Sequence, residues 1–311
     1  RRWMAPRPVP VPLSQRPGQA RLLPEPLGCV LIIGPWNYPF SLTIQPLVSA
    51  LAAGNSAVLK PSEHAPRTSA LIAQLVARHL EPAVVQVVEG DGAVASELLQ
   101  LRFDHIFFTG GGRVGRLVME AAARHLTPVT LELGGKSPAI VLADADLDTT
   151  ARRLIWGKGL NAGQTCIAPD HVLVEASVRP ALVERLTREI TRHYGEDPLA
   201  SPDLARIVNR PQFERLYGLL EGARQQGQLL AGGQSDRERL RIAPTLLAVE
   251  AADDPLMQEE LFGPLLPVLP VASLEEAITR VRRGAKPLAL YLFSTSSTAQ
   301  EQVLAGTSSG G

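Results

Sequence analysis

Cys29-Val30-Leu31-Ile32-Ile33-Gly34-Pro35-Trp36-Asn37-Tyr38-Pro39 is an unbroken apolar run followed by a loop, and its reading decides the fold. The run opens a stretch, extending to about Leu133, in which short apolar segments alternate with helical ones. A helix is predicted near Ile44 to Ala53, a strand over Ser56 to Leu59 and a helix near Ala65 to Leu80. Strands follow over Val84 to Glu89 and His105 to Phe108, and Val129-Thr130-Leu131 closes the series at Glu132. Strands that are apolar throughout, separated by helices, argue for a parallel sheet covered on both faces.

The alternation continues beyond Glu132, with a strand over Ala139 to Leu142, a helix from about Leu147 to Leu160 and a strand over His171 to Val174. Ser177 and Pro180 open a helix that Gly195 ends, the proline early and the glycine late being common punctuation. Ser273 and Glu276 have capping-box spacing at the head of a helix running to about Arg283, and the strand Leu288 to Phe293 follows. A second α/β domain is therefore expected over residues 134–311, after a nucleotide-binding type of sheet over residues 24–133, the latter by analogy only. Residues 1–23 are rich in proline and arginine; Val9, Val11 and Leu13 alternate with Pro10 and Pro12, as in an edge strand, an extended arm or a poorly ordered terminus.

With 311 residues the chain exceeds the size at which one core usually stops growing, so two domains are expected. Lysine plus arginine equals aspartate plus glutamate at 31 each, which leaves no net field for nucleic acid or anionic lipid. A small, nearly neutral ligand fits better. There are two cysteines, and Cys29 sits within an apolar run, so a reducing, cytoplasmic setting is expected rather than a disulfide framework. No apolar stretch approaches the roughly 20 residues that span a bilayer. The opening Arg1 and the closing Ser308-Ser309-Gly310-Gly311 read as a fragment lacking N- and C-terminal parts.

Cys166 lies in Asn161-Ala162-Gly163-Gln164-Thr165-Cys166-Ile167-Ala168-Pro169, small and polar residues between a predicted helix and a predicted strand. Such a loop keeps a thiol accessible, as a nucleophile requires. His171, five residues on, raises a cysteine–histidine dyad as one reading, although nothing in the sequence turns its ring toward the thiol. Phe107-Phe108-Thr109-Gly110-Gly111-Gly112-Arg113-Val114-Gly115 has G-x-G-x-x-G spacing where a strand passes into a helix expected over Arg113 to His125. Bare amides at such a terminus suit a phosphate, with a ligand-free glycine turn as the plainer reading. Glu132 then stands at ribose-binding spacing, and equally suits a general base or a solvated group at a strand's carboxyl end. Asn37 offers an amide donor that does not titrate, and Lys60-Pro61-Ser62-Glu63 ends a strand with a cation and a carboxylate three residues apart.

Pro35-Trp36-Asn37-Tyr38-Pro39, Leu59-Lys60-Pro61-Ser62-Glu63, Leu131-Glu132-Leu133-Gly134-Gly135-Lys136, Gly163-Gln164-Thr165-Cys166 and Glu259-Glu260-Leu261-Phe262-Gly263-Pro264, in this order, resemble the aldehyde dehydrogenase superfamily, and their wording is most similar to the class 3 branch. The resemblance runs from about Pro24 to Gly311. It implies a Rossmann-like parallel-sheet cofactor domain and a second α/β catalytic domain. It implies NAD(P)-dependent oxidation of a small aldehyde to a carboxylic acid, through a thiohemiacetal and a thioester on Cys166, in a homodimer. Asn37 and the Cys166 backbone amide are then the oxyanion hole, and Glu132 is the general base, which displaces the ribose role. Lys60 and Glu63 resemble the pair that holds the adenine ribose. Glu260 and Phe262 resemble contacts to the nicotinamide end, with Trp36 in the cofactor pocket and Gly110 and Gly115 at the phosphates of NAD or NADP.

One departure weakens a contact: in many relatives a polar residue follows the glycine at Gly110, and here Gly111 stands there, leaving backbone amides to serve a phosphate. Two other functions share these motifs, a CoA-acylating dehydrogenase, in which a thiol resolves the thioester, and a non-catalytic scaffold subunit. Glu132 argues for water as the resolving nucleophile, and the presence of Cys166, Glu132 and Asn37 together argues for catalysis.

Overall fold

A computed structural model describes residues 4–310; Arg1 to Trp3 and Gly311, on which part of the arm and of the chain-end reading falls, lie outside the described residues. The chain divides in sequence between Glu132 and Leu133 into two compact units. In the first, β1 (Arg7–Val9) and β2 (Ala20–Leu22) pair antiparallel as an exposed hairpin. Of the alternating residues only Val9 lies in this ribbon; Val11 falls beyond β1 and Leu13 in a short 3-10 turn.

The remainder of this unit holds β3 (Cys29–Ile33), α1 (Ser41–Ala52), β4 (Ser56–Lys60), α2 (Pro66–His79), β5 (Val85–Val87), α3 (Gly92–Leu98), β6 (His105–Thr109), α4 (Gly112–Ala123) and β7 (Val129–Glu132). Its five strands run parallel in the order β5-β4-β3-β6-β7. The order reverses direction between β3 and β6, the position at which a doubly wound sheet opens a crevice beyond its carboxyl ends. Val30, Ile32, Leu59, Ile72 and Val76 pack between sheet and helices. Each such buried side chain contributes about 1.5 to 3 kcal/mol. α1 starts three residues before the expected Ile44, and Pro46 lies within it. α4 begins at Gly112 because Gly111, extended, is its N-cap.

The second unit contains β8 (Pro138–Val141), α5 (Leu147–Gly159), β9 (His171–Glu175), α6 (Arg179–Tyr194), α7 (Arg210–Gln225), β10 (Leu229–Ala231), the short hairpin β11 (Ser235–Asp236) and β12 (Arg241–Ile242), β13 (Thr245–Ala248), β14 (Leu265–Val271), α8 (Leu274–Arg283), β15 (Tyr291–Phe293) and α9 (Ser297–Gly306). Its main sheet runs β10-β13-β14-β9-β8-β15, parallel apart from β10. Leu154, Leu173, Leu182, Leu186, Phe213 and Leu265 fill its core. Gly195 ends α6 in the left-handed region, and the Ser273 hydroxyl accepts the Glu276 N–H at the head of α8, as their spacing predicts. β15 is shorter than expected, beginning at Tyr291 rather than Leu288.

Candidate active site

In the first unit the singled-out residues share one edge of the sheet. The loop holding Trp36 and Asn37, both half-buried, follows β3, and Lys60 ends β4. The Gly110 turn follows β6, and Glu132, exposed, ends β7. All lie at carboxyl ends, where a parallel sheet presents its ligand groups. Backbone bonds tie the edge together: Gly34 donates to the Lys60 carbonyl at 3.0 Å and Gly110 to that of Glu132 at 3.0 Å. Gly34 admits no side chain, since a Cβ would collide with the hydroxyl of buried Thr43.

Lys60 is 2% exposed, and its ammonium donates to the Pro61 carbonyl at 2.9 Å and to Glu63 at 3.3 Å, so strand end and carboxylate form a fixed pair. At the start of α4 no side chain caps the helix and no acid occupies its first turn. Space stands open where a Cβ would be at Gly111 and Gly112, whereas Gly115 is buried one turn on. An uncapped terminus with room before it fits an oxyanion such as a phosphate. It also accounts for Gly111 in the place of a polar residue.

In the second unit the chemistry gathers at the amino ends of β8, β9 and β14, which Lys136, Cys166 and Glu260 precede. The rule that draws ligand groups to carboxyl ends therefore does not find these three residues. Cys166 is half-buried and carries a thiol. Before it, Asn161, Ala162 and Gly163 all have positive φ, of 51°, 52° and 75°. Two consecutive non-glycine residues in the left-handed region cost about 1 to 3 kcal/mol each and persist where surrounding contacts over-determine them.

Gln164, 2% exposed, supplies those contacts. Its amide donates to the carbonyls of Asn161 at 2.9 Å and Arg206 at 3.1 Å, and its oxygen accepts the Val208 N–H at 2.9 Å. Gly163 backs onto the turn after Glu260 so closely that a Cβ would collide with the Gly263 carbonyl. The thiol loop and the Glu259–Pro264 segment are thus in direct contact. Phe262 in that segment has φ +49°, a further strained non-glycine residue.

Glu260 lies against Gly134, where a Cβ would collide with its carboxylate. Burial pushes its pKa up to about 7, against a hydrogen bond from the Gly135 N–H and the nearby charges of Lys158 and Lys136, with Asp170 adding to the rise. Lys136 pairs with Asp170 and donates to the carbonyls of Leu256 at 2.8 Å and Glu259 at 3.0 Å. Asp170 also accepts the Leu261 N–H at 2.8 Å, so one ion pair clamps both sides of Glu260. Burial lowers Lys158 to about 8. The Tyr291 phenol donates to the Ile167 carbonyl; burial, and then the charge of Cys166, raise its pKa.

Burial and the Lys136 charge drive His171 down to about 4. It is a neutral ring, not the cation that would stabilise a thiolate, and its Nδ1 has no hydrogen-bond partner among the described residues. The cysteine–histidine dyad finds no support here. Sequence reasoning passed over Gln164, Asp170, Lys158 and Tyr291; of these, Gln164 and Asp170 flank the thiol within the quoted loop and strand start and were open to notice.

Comparison with known proteins bears on this arrangement directly. Residues 10–311 match the aldehyde dehydrogenase family. The chain is 50% identical over 311 residues to human aldehyde dehydrogenase family 3 member B1, covering all of this chain and 66% of that protein. It is 47% identical over 310 residues to aldehyde dehydrogenase family 3 member H1 of Arabidopsis thaliana, covering 99% of this chain and 64% of that one. The chain spans a little under two thirds of the length of these relatives. The substrate-bound state of Staphylococcus aureus AldH superposes with a TM-score of 0.94 at 43% identity, covering 100% of this chain and 67% of that chain. Mycobacterium tuberculosis aldehyde dehydrogenase complexed with NAD+ does so with 0.87 at 31%, covering 96% and 63%. The family match, the relatives and the likeness of fold show that the chain belongs to the aldehyde dehydrogenase family and is similar to its family 3 members.

Proposed function

We propose that the protein oxidises an aldehyde to its carboxylic acid with NAD or NADP, through a covalent intermediate on Cys166. The observation that carries this reading is the Cys166 loop: a thiol at the end of three left-handed residues, pinned by the buried Gln164 amide. Strain of this kind is retained where a group must be held for use.

The Cys166 thiolate forms a bond to the aldehyde carbon, and the carbonyl oxygen takes up the negative charge. The Asn37 amide and the Cys166 backbone N–H receive that charge; one such donor is typically worth about 2.7 to 4 kcal/mol in the transition state. The nicotinamide cofactor, when bound, accepts the hydride and its two electrons, chemistry that side chains lack. The C=O bond re-forms as a thioester. Glu132 then takes a proton from water, the resulting hydroxide attacks the thioester carbon, and the C–S bond breaks to release the acid and the thiolate.

The first unit fits a dinucleotide. The open α4 terminus at Gly110 and Gly111 suits a phosphate, with Gly115 letting the helix lie close. Buried Lys60 and exposed Glu63 offer a donor and an acceptor to a ribose, and Trp36 an apolar wall. Glu260 and Phe262 serve the nicotinamide end. Among the described residues no group of His, Cys, Asp and Glu could hold a metal ion, and no helix is long and apolar enough to cross a membrane. Two thiols suit a reducing cytoplasm, and resemblance to class 3 favours a homodimer.

Reduced-cofactor absorbance, followed with NAD, then NADP, across aliphatic and aromatic aldehydes beside a Cys166→Ser control, tests the reading. Turnover in the wild type that the variant loses, while still binding cofactor, is the expected result. Full turnover in Cys166→Ser removes the covalent scheme, and turnover that requires added CoA replaces hydrolysis with thiolysis.

A further inference from the structure

The Thr165 carbonyl accepts the Ala168 N–H at 2.9 Å, closing a tight turn whose two inner residues are Cys166 and Ile167. Before Cys166 the buried Gln164 amide fixes the chain through Asn161, Arg206 and Val208. After Cys166 a second attachment arrives from the edge of the same sheet, where the Tyr291 phenol donates to the Ile167 carbonyl, 124 residues earlier in the chain. Tyr291 is itself held. It opens β15 opposite Ala139 of β8. Just before it the Ala289 N–H donates to the Ser137 hydroxyl at 3.3 Å, and the Ser137 carbonyl accepts the Asp170 N–H at 2.8 Å. Ser137 is fully buried, so the start of β15 and the chain leaving the thiol turn are fastened at one point.

The need to satisfy a buried group does not account for the phenol. Its bond lies at an exposed position and Ile167 is 49% exposed, so water can serve that carbonyl. A hydrogen bond that exchanges evenly with water adds little to stability. What a side chain on a paired strand adds beyond water is a fixed direction. Reacting groups must be held to within about 0.5 Å by supporting side chains that are themselves locked in place. Burial, and then the charge of Cys166, raise the phenol's pKa, so Tyr291 keeps its proton and remains a donor at neutral pH.

We propose that Tyr291 is a positioning residue for the Cys166 thiol: by holding the Ile167 carbonyl it sets the orientation of the turn, and with it the directions of the thiol and of the Cys166 backbone N–H. The proposal rests on the reading of Cys166 as the nucleophile. Gln164 and Tyr291 then act as complementary fixings, one on each side of the reacting residue. In this role the phenol takes no part in proton transfer, and a phenylalanine ring without the hydroxyl cannot replace it.

Tyr291→Phe keeps the ring and removes the donor. Steady-state kinetics of the whole enzyme, fluorescence titration with reduced nicotinamide dinucleotide, and hydrogen exchange read by mass spectrometry test the proposal together. The variant should keep the wild-type affinity and stoichiometry for the dinucleotide and lose little melting temperature. Its kcat should fall about ten- to a hundredfold, since misplacing a reacting group by about 1 Å costs that order. Amide exchange, which needs no turnover, should quicken in the peptide spanning Thr165 to Ala168 and stay unchanged in the strands of the sheet. A merely structural lesion instead lowers dinucleotide stoichiometry, melting temperature and kcat in step. Such a parallel loss, a wild-type kcat, or wild-type exchange in the turn overturns the proposal. Full turnover in Cys166→Ser removes the reading of the nucleophile on which it rests, and the exchange result in Tyr291→Phe then still decides whether the phenol holds the turn.

Discussion

The Val208 backbone N–H donates to the Gln164 side-chain oxygen at 2.9 Å, joining the thiol loop to a segment 44 residues later in the chain. The same amide holds the carbonyls of Asn161 and Arg206. Gln164→Ala would strand three partly buried backbone groups, each costing up to about 1 to 3 kcal/mol when unsatisfied. It would also release the left-handed turn before Cys166. A melting temperature several degrees lower is expected, with kcat down about ten- to a hundredfold, since misplacing a reacting group by about 1 Å costs that order. Wild-type kcat in the folded variant would show that the clamp does not position the thiol.

Glu132 ends β7 as an exposed residue, free of the crowding that surrounds Glu260. If it activates water, Glu132→Gln should leave the first hydride transfer fast and slow the second half-reaction. Stopped-flow traces should then show a burst of reduced cofactor near one equivalent, followed by a steady state reduced about a hundredfold or more, within the range of general-base contributions. A burst and steady state in the wild-type ratio would assign deacylation to another group.

Gly134 is a glycine because the Glu260 carboxylate occupies the place of its Cβ. Gly134→Ala should push that carboxylate aside, and the flexible side chain can yield without unfolding the protein. Thermal stability should fall only slightly, while cofactor KM rises several-fold and aldehyde KM changes little. A large loss of melting temperature with unaltered cofactor KM would instead make the contact purely a packing one.

Much of the first unit was legible because its strands are apolar on both faces and its helices carry ordinary punctuation. Cys29–Ile33 is the strand its pattern predicts. β14 was hidden by Pro267 and Pro270, which normally mark an edge, yet it pairs with both β13 and β9. α7 carried its signals unread: Asn209 caps it, Pro211 opens it, and Phe213, Leu216, Leu220 and Ala223 recur at helical spacing. At the site, the thiol, the glycine turn and the strand-end acids stood out as residue types in loops. The ring of charge around Glu260 did not, because Lys136, Lys158, Asp170 and Arg215 come from separate elements and a buried lysine reads in sequence as a solvated one.

Two buried groups near the thiol should give stability opposite pH dependences. His171, neutral in the fold, is held near 4, against 6.5 in an unfolded chain. Between those values the unfolded chain binds a proton that the folded one refuses. This contribution, on the order of 3 kcal/mol, is therefore present above about pH 6.5 and lost as pH falls toward 4. Glu260 runs the other way: raised from 4.5 to about 7, it keeps in the fold a proton that the unfolded chain releases, so its contribution is present below 4.5 and lost as pH rises through 7. The two oppose each other between about pH 4.5 and 6.5, and melting temperature should change little there on their account. Glu260→Gln removes one arm, so its melting temperature should climb with pH over this window more steeply than that of the wild type. His171→Phe removes the other, and its melting temperature should fall with pH instead. Parallel profiles for all three proteins would mean that neither group keeps its displaced ionisation in the folded state.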